Sequence, residues 1–141
     1  MRIVLDTNVL VSGLLSPFGP PGDIVRLIAA GEVRVCYDAR IMDEYREVLS
    51  RPVFHIAPGR VESLLHQIAA DGLLVAARPL AVPLPDPDDE AFLAVALAGS
   101  ARCLVTGNLR HYPQPVRRGM PVLSPRDFLD LYREAGSPAP S

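Results

Sequence analysis

Short apolar runs alternate along the chain with longer segments in which apolar residues recur every three or four positions. Ile3-Val4-Leu5 is an uninterrupted run rich in β-branched residues, which predicts a strand over residues 2–5 that is covered on both faces. Similar runs predict further strands over 33–37, 73–77, 103–105 and 121–123. Helical spacing and capping residues predict helices over 9–15, 23–30, 39–50, 57 or 58–70, 87–98 and from 125 onward. This alternation indicates a three-layer α/β/α domain with a central, mainly parallel sheet, and we expect the first strand in its middle.

Turn-forming residues separate these elements. Residues 16–22 are a turn-rich break, and 79–87 are a proline-spaced connector that should be extended and stiff. A loop rich in Pro, Gly and Arg covers 109–119. The length predicts a single domain over 1–135, followed by a disordered tail over 136–141.

Composition excludes several classes of function. The net charge of −2 argues against a uniformly basic nucleic-acid binder, although a local basic groove remains possible. All 14 Lys and Arg residues are Arg, so a mechanism that requires lysine is excluded. Cys36 and Cys103 lie in separate apolar runs, which predicts buried free thiols and favours a reducing cytoplasm. We find neither a signal peptide nor an apolar segment of the roughly 20 residues that span a membrane.

Asp6 follows the first predicted strand, where open α/β sheets bind their ligands. One interpretation is structural, because Asp is a good N-cap for the helix that follows. The other is that the carboxylate belongs to a binding or catalytic site. The position alone leaves both interpretations open.

Two further acids lie beside apolar helix stripes. Glu44 sits at the rim of the stripe formed by Ile41, Tyr45 and Val48, although a surface ion pair with Arg40 or Arg51 would also explain it. Asp86 is a good N-cap before Pro87, and this capping role accounts for Asp86.

Asp89 is explained less well by capping. It heads the buried face that continues through Phe92 and Leu93, although its side chain could also bond back to the backbone at Asp86. A carboxylate that faces a core must be paired or metal-bound.

Asn108 follows the fourth predicted strand as Asp6 follows the first, although a Gly-Asn turn would also account for it. Asp6, Glu44, Asp89 and Asn108 thus all fall near the carboxyl edge of the sheet. Three carboxylates brought together there would repel one another and raise their pKa values unless a cation lies between them. Hard oxygen ligands suit Mg²⁺ or Mn²⁺, which can activate a water and stabilise charge on a phosphodiester.

Four segments resemble, in this order, the motifs of PIN-domain ribonucleases, and the resemblance is closest to bacterial toxins of the VapC type. They are Leu5-Asp6-Thr7-Asn8-Val9-Leu10, Asp43-Glu44-Tyr45-Arg46-Glu47-Val48-Leu49, Asp86-Pro87-Asp88-Asp89-Glu90-Ala91-Phe92-Leu93 and Val105-Thr106-Gly107-Asn108. The resemblance implies an α/β/α fold and Mg²⁺- or Mn²⁺-dependent hydrolysis of RNA by a metal-activated water. It also implies an antitoxin partner and a homodimer.

By motif position, Asp6, Glu44 and Asp89 would be the catalytic metal ligands, and Asn108 would be the fourth catalytic residue. The resemblance further implies that Asn8 and Thr106 support them. Asn108 is a departure, because many family members have a fourth Asp at this place. Asn brings no charge, which puts a second metal ion and the strength of catalysis in doubt.

Basic residues follow the last of these motifs. Arg110, His111, Arg117 and Arg118 lie in the loop just beyond Asn108. Because arginine binds phosphate through two parallel hydrogen bonds, we expect this loop to hold the RNA backbone. A solvated basic loop is the alternative, and His111 could equally shuttle a proton or pack under Tyr112.

Two other functions compete. Haloacid-dehalogenase-like phosphatases and response-regulator receivers also have an Asp after the first strand, but the phosphatase pattern has a second Asp where this chain has Asn8. Both families normally use a Lys, which is absent here. The stronger alternative is a PIN fold that binds RNA or a protein without cutting, with Asn108 as the mark of a degraded site.

Overall fold

In the part of the chain that the structure describes, one sheet of five strands forms the centre of the molecule. The computed structural model describes residues 1–136. Its strands are β1 (Arg2–Leu5), β2 (Arg34–Tyr37), β3 (Leu73–Leu74), β4 (Leu104–Val105) and β5 (Val122–Leu123). They lie in the order β3-β2-β1-β4-β5, and every neighbouring pair is parallel. The predicted parallel sheet with β1 in its middle is therefore confirmed.

Within residues 1–136, six helices and four short 3₁₀ turns connect and cover the strands. The helices are α1 (Thr7–Leu15), α2 (Pro20–Ala29), α3 (Ala39–Leu49), α4 (Pro58–Asp71), α5 (Glu90–Ala98) and α6 (Pro125–Gly136). The 3₁₀ turns are Pro52–Phe54, Pro87–Asp89, Leu109–His111 and Gln114–Val116. Asp38 caps α3, because its side chain accepts a hydrogen bond of 2.9 Å from the Ile41 N–H.

The connections explain the three layers. From β1 the chain moves outward through β2 to β3, then crosses back over the sheet to β4 and continues outward to β5. Since parallel crossovers are right-handed, this reversal of direction places α5 on the opposite face from the helices α1 to α4. In agreement, α5 packs across β1, β2 and β4, while α1 to α4 contact one another. The reversal also opens a crevice between the carboxyl ends of β1 and β4, which is the usual place for a ligand.

The core lies on both sides of β1, as its apolar sequence predicts. Ile3, Val4 and Leu5 are fully buried. Tyr45 of α3 and Phe92 of α5 pack under the carboxyl edge with their ring centroids 6.3 Å apart. The Tyr45 hydroxyl donates a hydrogen bond of 2.5 Å to the Leu5 carbonyl, which fixes the end of β1 directly before Asp6.

Several predicted boundaries are wrong. The segment predicted as a turn contains the start of α2, because Pro20 and Pro21 occupy first-turn positions that need no N–H donor. Gly22 packs so closely on the Pro17 carbonyl that a Cβ would lie 2.3 Å from its oxygen. The helix α1 begins at Thr7, two residues before the predicted start.

The strands are shorter than predicted. β2 begins at Arg34, and β3 ends at Leu74 rather than at residue 77, because this edge strand has only β2 to pair with. The strands β4 and β5 each consist of two residues. The segment predicted as one helix from residue 87 starts as a 3₁₀ turn and becomes α-helical only at Glu90.

The C-terminal boundary also differs. Gly136, predicted as the start of a disordered tail, is the last residue of α6. The rest of the predicted tail, 137–141, lies outside the described residues. Cys36 and Cys103 are buried and free, as expected. Among residues 1–136, no helix has the length and apolar character needed to cross a membrane.

Candidate active site

Asp6 lies in the crevice between β1 and β4 and is only 5% exposed. Its Oδ2 accepts hydrogen bonds from Thr106 Oγ1 at 2.9 Å and from the Tyr112 hydroxyl at 3.2 Å. Although Asp6 occupies the N-cap position of α1, its side chain makes no capping hydrogen bond. The capping interpretation is therefore wrong, because the carboxylate is bound to groups that follow β4.

Backbone and side-chain hydrogen bonds hold the ends of β1 and β4 together. The Asp6 N–H donates to the Val105 carbonyl at 2.9 Å, and Gly107 N–H donates to Asn8 Oδ1 at 3.1 Å. Thr106 is fully buried, and its hydroxyl accepts from the Asn108 N–H at 3.1 Å while it donates to Asp6. Asn8 and Thr106 thus fix the two strand ends that carry Asp6 and Asn108.

Glu44 is half-buried on the side of α3 that faces α1. Its Oε2 accepts a hydrogen bond from the Thr7 hydroxyl. The two arginines expected as alternative partners are engaged elsewhere: Arg40 with Asp38, and Arg51 with Glu47. The surface ion pair considered for Glu44 is therefore not formed, whereas its position at the rim of the apolar stripe is confirmed.

Asp89 is buried as predicted, with 7% of its surface exposed. Asp86 caps this turn by accepting a hydrogen bond from Asp88 N–H at 3.0 Å. The backbone N–H of Asp89 donates to the Asp86 carbonyl at 3.1 Å, but its carboxylate does not cap the turn. Within the described part of the chain, the buried Oδ2 of Asp89 has no hydrogen-bond partner. A buried carboxylate oxygen in this condition calls for a cation or another donor.

His111 lies between Asp89 and Asn108. Its Nδ1 is 2.9 Å from Asp89 Oδ2, but without the alignment of a hydrogen bond, so the contact is electrostatic when the ring is protonated. Its Nε2 is 2.8 Å from Asn108 Nδ2. With the amide nitrogen as donor, Nε2 accepts and the ring hydrogen lies on Nδ1. Asn108 therefore binds the His111 ring, and the His111 ring lies against the Asp89 carboxylate.

Burial raises the pKa values of all three acids, and repulsion between carboxylates adds to the rise at two of them. Burial is the main cause at each position. Repulsion from Asp6 adds to it at Glu44 and Asp89, and the pKa of Asp89 reaches about 6. Hydrogen bonds from Thr106 and Tyr112 offset part of the rise in the pKa of Asp6. The repulsion predicted from the sequence is present, but loss of hydration has the larger effect.

The donors fit a hydrated divalent ion better than a closed metal cage. Oxygen ligands and the unsatisfied Asp89 Oδ2 favour a hard cation such as Mg²⁺ or Mn²⁺. Among residues 1–136, however, no three carboxylate, imidazole or thiol groups converge closely enough to hold a metal ion between them. Mg²⁺ usually keeps several waters and binds to one or two carboxylates, which is the arrangement these side chains allow.

Comparison with known families matches most of the chain to one family. A family model described as a PIN domain matches residues 2–110, which include Asp6, Glu44, Asp89 and Asn108. The chain belongs to the PIN-domain family. PIN domains are generally nucleases, and they typically use divalent metal ions. No curated protein matches the chain.

In the loop of this PIN-domain protein beyond Asn108, the arginines differ in their contacts. Arg117 is half-buried, and its guanidinium donates to the Tyr112 carbonyl at 2.6 Å and to Gln114 Oε1 at 3.1 Å. This arginine therefore stabilises the loop. Arg110 and Arg118 are exposed and form neither a hydrogen bond nor an ion pair with any described residue.

Sequence reasoning missed two hydroxyl groups of this PIN-domain site. Thr7 holds Glu44, and Tyr112 holds Asp6. A hydroxyl directly after Asp6 was a usable signal for Thr7. Nothing in the sequence connects Tyr112 to a residue 106 positions earlier, and Tyr112 lies just beyond the part of the chain that matches the family.

Proposed function

We propose that this PIN-domain protein is an endoribonuclease that hydrolyses RNA phosphodiester bonds with Mg²⁺ or Mn²⁺. The observation that carries the proposal is the buried Asp89 Oδ2, which accepts no aligned hydrogen bond in the described part of the chain, although His111 Nδ1 lies 2.9 Å away, and which lies among acids with raised pKa values. A purely structural role would have given this oxygen an aligned donor. A cation between the carboxylates supplies the missing partner and relieves their repulsion.

The chain's own residues would position the reactants. Asp6, Glu44 and Asp89 would hold the hydrated cation, with Thr7, Thr106 and Tyr112 fixing the orientation of the carboxylates. A bound divalent ion lowers the pKa of a water and stabilises charge on a phosphodiester. Asn108 and His111 lie at the margin of the site, where His111 can bind a phosphate oxygen or donate a proton to the leaving oxygen.

Cleavage of a mixed pool of single-stranded and structured RNA tests the proposal. We expect purified protein to cut in Mg²⁺ or Mn²⁺ and not in EDTA, and Asp89→Asn to be inactive. Asp88→Asn is the matched control, because Asp88 lies in the same turn but is exposed, and it should keep near-normal activity. Equal cutting by the wild type and Asp89→Asn would assign the activity to a contaminant and refute the site.

A binding module that does not cut RNA is the second candidate. It is favoured by the absence, among residues 1–136, of three donor groups that converge on one point, and by Asn108 in place of an acid. Calorimetry separates the two functions. Tight Mg²⁺ binding together with intact RNA of every sequence tested would support the binding module and exclude the nuclease.

We also propose that the protein is the toxin of a toxin–antitoxin pair, that it acts in the cytoplasm, and that it forms a homodimer. This part rests on the resemblance of its four motifs to VapC-type proteins. Induced expression should stop bacterial growth, and Asp6→Asn should abolish the arrest without lowering the amount of folded protein. Unimpaired growth with active, soluble wild-type protein would refute the toxin role.

A further inference from the structure

A second hollow lies next to the groove that contains Glu44. The groove has a volume of about 410 Å³ and lies between α3 and α5. The hollow is of equal volume and lies over the C-terminal half of α5. Both are bounded by Pro79, Leu80 and Ala94, so the connector between β3 and α5 separates two adjoining spaces.

The two spaces differ in charge. Glu44, Asp88 and Glu90 line the groove, with Arg40 as its basic residue, and Arg40 is paired with Asp38. The hollow has no acidic residue in its lining, and its charged groups are Arg78 and Arg118. A chain of phosphates is therefore repelled by the acidic groove in the absence of a cation, and it is attracted by the hollow.

Both arginines of the hollow are available to a ligand. They are exposed, and neither forms a hydrogen bond or an ion pair with another described residue. They come from separate parts of the chain: Arg78 from the connector, and Arg118 from the loop after β4. Two guanidinium groups without partners, placed around one hollow, match a phosphodiester.

The floor of the hollow is apolar. It is formed by Ala94, Leu97 and Ala98 of α5, with Ala76 and Leu80 from the connector. A surface of this kind suits the face of a base, and a base reaches it only when it is unstacked and free of a pairing partner. Single-stranded RNA meets both conditions, and an A-form duplex does not.

The position of the hollow relates it to the acids. Ala94 and Ala98 of α5 follow Asp89, the last residue of the turn before this helix, by five and nine residues, which corresponds to roughly 8–14 Å along a helix axis. We propose that the hollow binds a nucleotide of single-stranded RNA next to the bond held at the acids, with its phosphate on Arg78 and Arg118 and its base over α5. This inference rests on the proposed function, because it assumes that RNA is the ligand.

Equilibrium binding in EDTA tests the inference without cleavage. A fluorescein-labelled, single-stranded RNA of mixed sequence is titrated with wild type and with Arg78→Ala/Arg118→Ala, and anisotropy gives the Kd. Loss of two phosphate contacts should raise the Kd about 25-fold at roughly 0.1 M salt. The slope of log Kobs against log salt should become shallower by about 1.4. Because Arg118 has a positive φ of 53° and Ala also has a Cβ, the substitution adds no backbone strain.

Arg60→Ala/Arg126→Ala is the matched control. It removes two exposed arginines that have no described partner and lie outside both spaces, so the net charge changes equally. We expect near wild-type affinity from this control, and weaker binding of duplex than of single-stranded RNA by the wild type. Equal weakening by both double variants, or no weakening by Arg78→Ala/Arg118→Ala, would overturn the inference.

Two further outcomes separate this inference from the proposed function. If RNA binding depends on the two arginines but no RNA is cleaved under any metal condition, the hollow is an RNA-binding site and the nuclease function is excluded. If Arg78→Ala/Arg118→Ala retains metal-dependent cleavage with an unchanged KM, the nuclease function stands and the hollow is excluded as an RNA-binding site. Binding of a poly-glutamate peptide that depends on the arginines, with no binding of RNA, would assign the hollow to an acidic protein segment and overturn the inference.

Discussion

Asp89→Asn should stabilise the metal-free protein at neutral pH. Asp89 is buried, its Oδ2 has no hydrogen-bond partner among the described residues, and its pKa is raised from 3.8 to about 6. The folded protein therefore binds this proton more tightly than the unfolded chain does. Its stability falls as the pH rises from about 4 to about 6, and the full penalty is present above that range. An amide of nearly the same shape carries no charge to be penalised.

The size of the effect follows from the pKa difference. A rise of roughly two pH units corresponds to about 3 kcal/mol at pH 7.5, and relaxation of the site reduces this to about 2–3 kcal/mol. At pH 5 the wild-type carboxyl is mostly protonated when folded, and the gain from Asp89→Asn should fall by about half. The difference between the two pH values is therefore the diagnostic quantity.

Urea denaturation in EDTA at pH 5 and at pH 7.5 measures this difference. Asp88→Asn serves as the control, since an exposed acid of the same turn should change the free energy of unfolding by less than about 0.5 kcal/mol. A loss of stability in Asp89→Asn that is similar at both pH values would refute the reasoning. It would mean that the contact with His111 stabilises the ionised carboxylate more than burial and repulsion disfavour it.

Three further predictions concern the same site. Tyr112→Phe keeps the buried ring but removes the donor to Asp6, so it should cost about 1 kcal/mol of stability and raise the pKa of Asp6. The lower limb of the pH–rate profile should then move to higher pH. The control is Tyr132→Phe, which should not move this limb, because the Tyr132 hydroxyl binds Glu32 on the surface. Asn108→Asp adds a carboxylate next to the acids, so calorimetry should show Mg²⁺ binding about tenfold tighter. Urea denaturation in EDTA should show that the variant is less stable than the wild type. If both the Mg²⁺ affinity and the stability are unchanged, residue 108 does not contact the metal ion. Mg²⁺ at about 100 times its Kd should stabilise the wild type by about 2.7 kcal/mol in urea denaturation, whereas it should stabilise Asp6→Asn very little. Equal stabilisation of both proteins would mean that the ion binds elsewhere.

The central features of the fold were predictable because they depend on local sequence. The run Ile3-Val4-Leu5 is apolar on both faces, and this condition is met only by an inner strand of a covered parallel sheet. The capping roles of Asp38 and Asp86 were predictable for the same reason, since a cap needs only its own turn. Helix starts at consecutive prolines and the length of an edge strand depend on tertiary packing, and these boundaries were wrong.

The acids of the site were predictable as conflicts between residue type and position. Asp89 is a charge on a buried face, and Asp6 is a charge at the end of a buried strand. Their hydroxyl partners show no such conflict, because the residue types of Thr7 and Tyr112 are common at their positions in the predicted elements. The task of Arg117 was equally hidden, since its partner is a backbone carbonyl whose direction only the folded loop decides.

The long separation between Asp6 and its partners has a consequence for synthesis. Asp6 and β1 are made first, whereas β4 and Tyr112 follow about a hundred residues later. At about 5–20 residues per second, the nascent chain exists for roughly 5–20 s with one edge of β1 unpaired and Asp6 without its hydrogen bonds to Thr106 and Tyr112. During that time the chain exposes an apolar strand and has no assembled acidic crevice. Variants in the loop that carries Tyr112 should therefore reduce the yield of folded protein from the ribosome as well as the activity of the molecules that do fold.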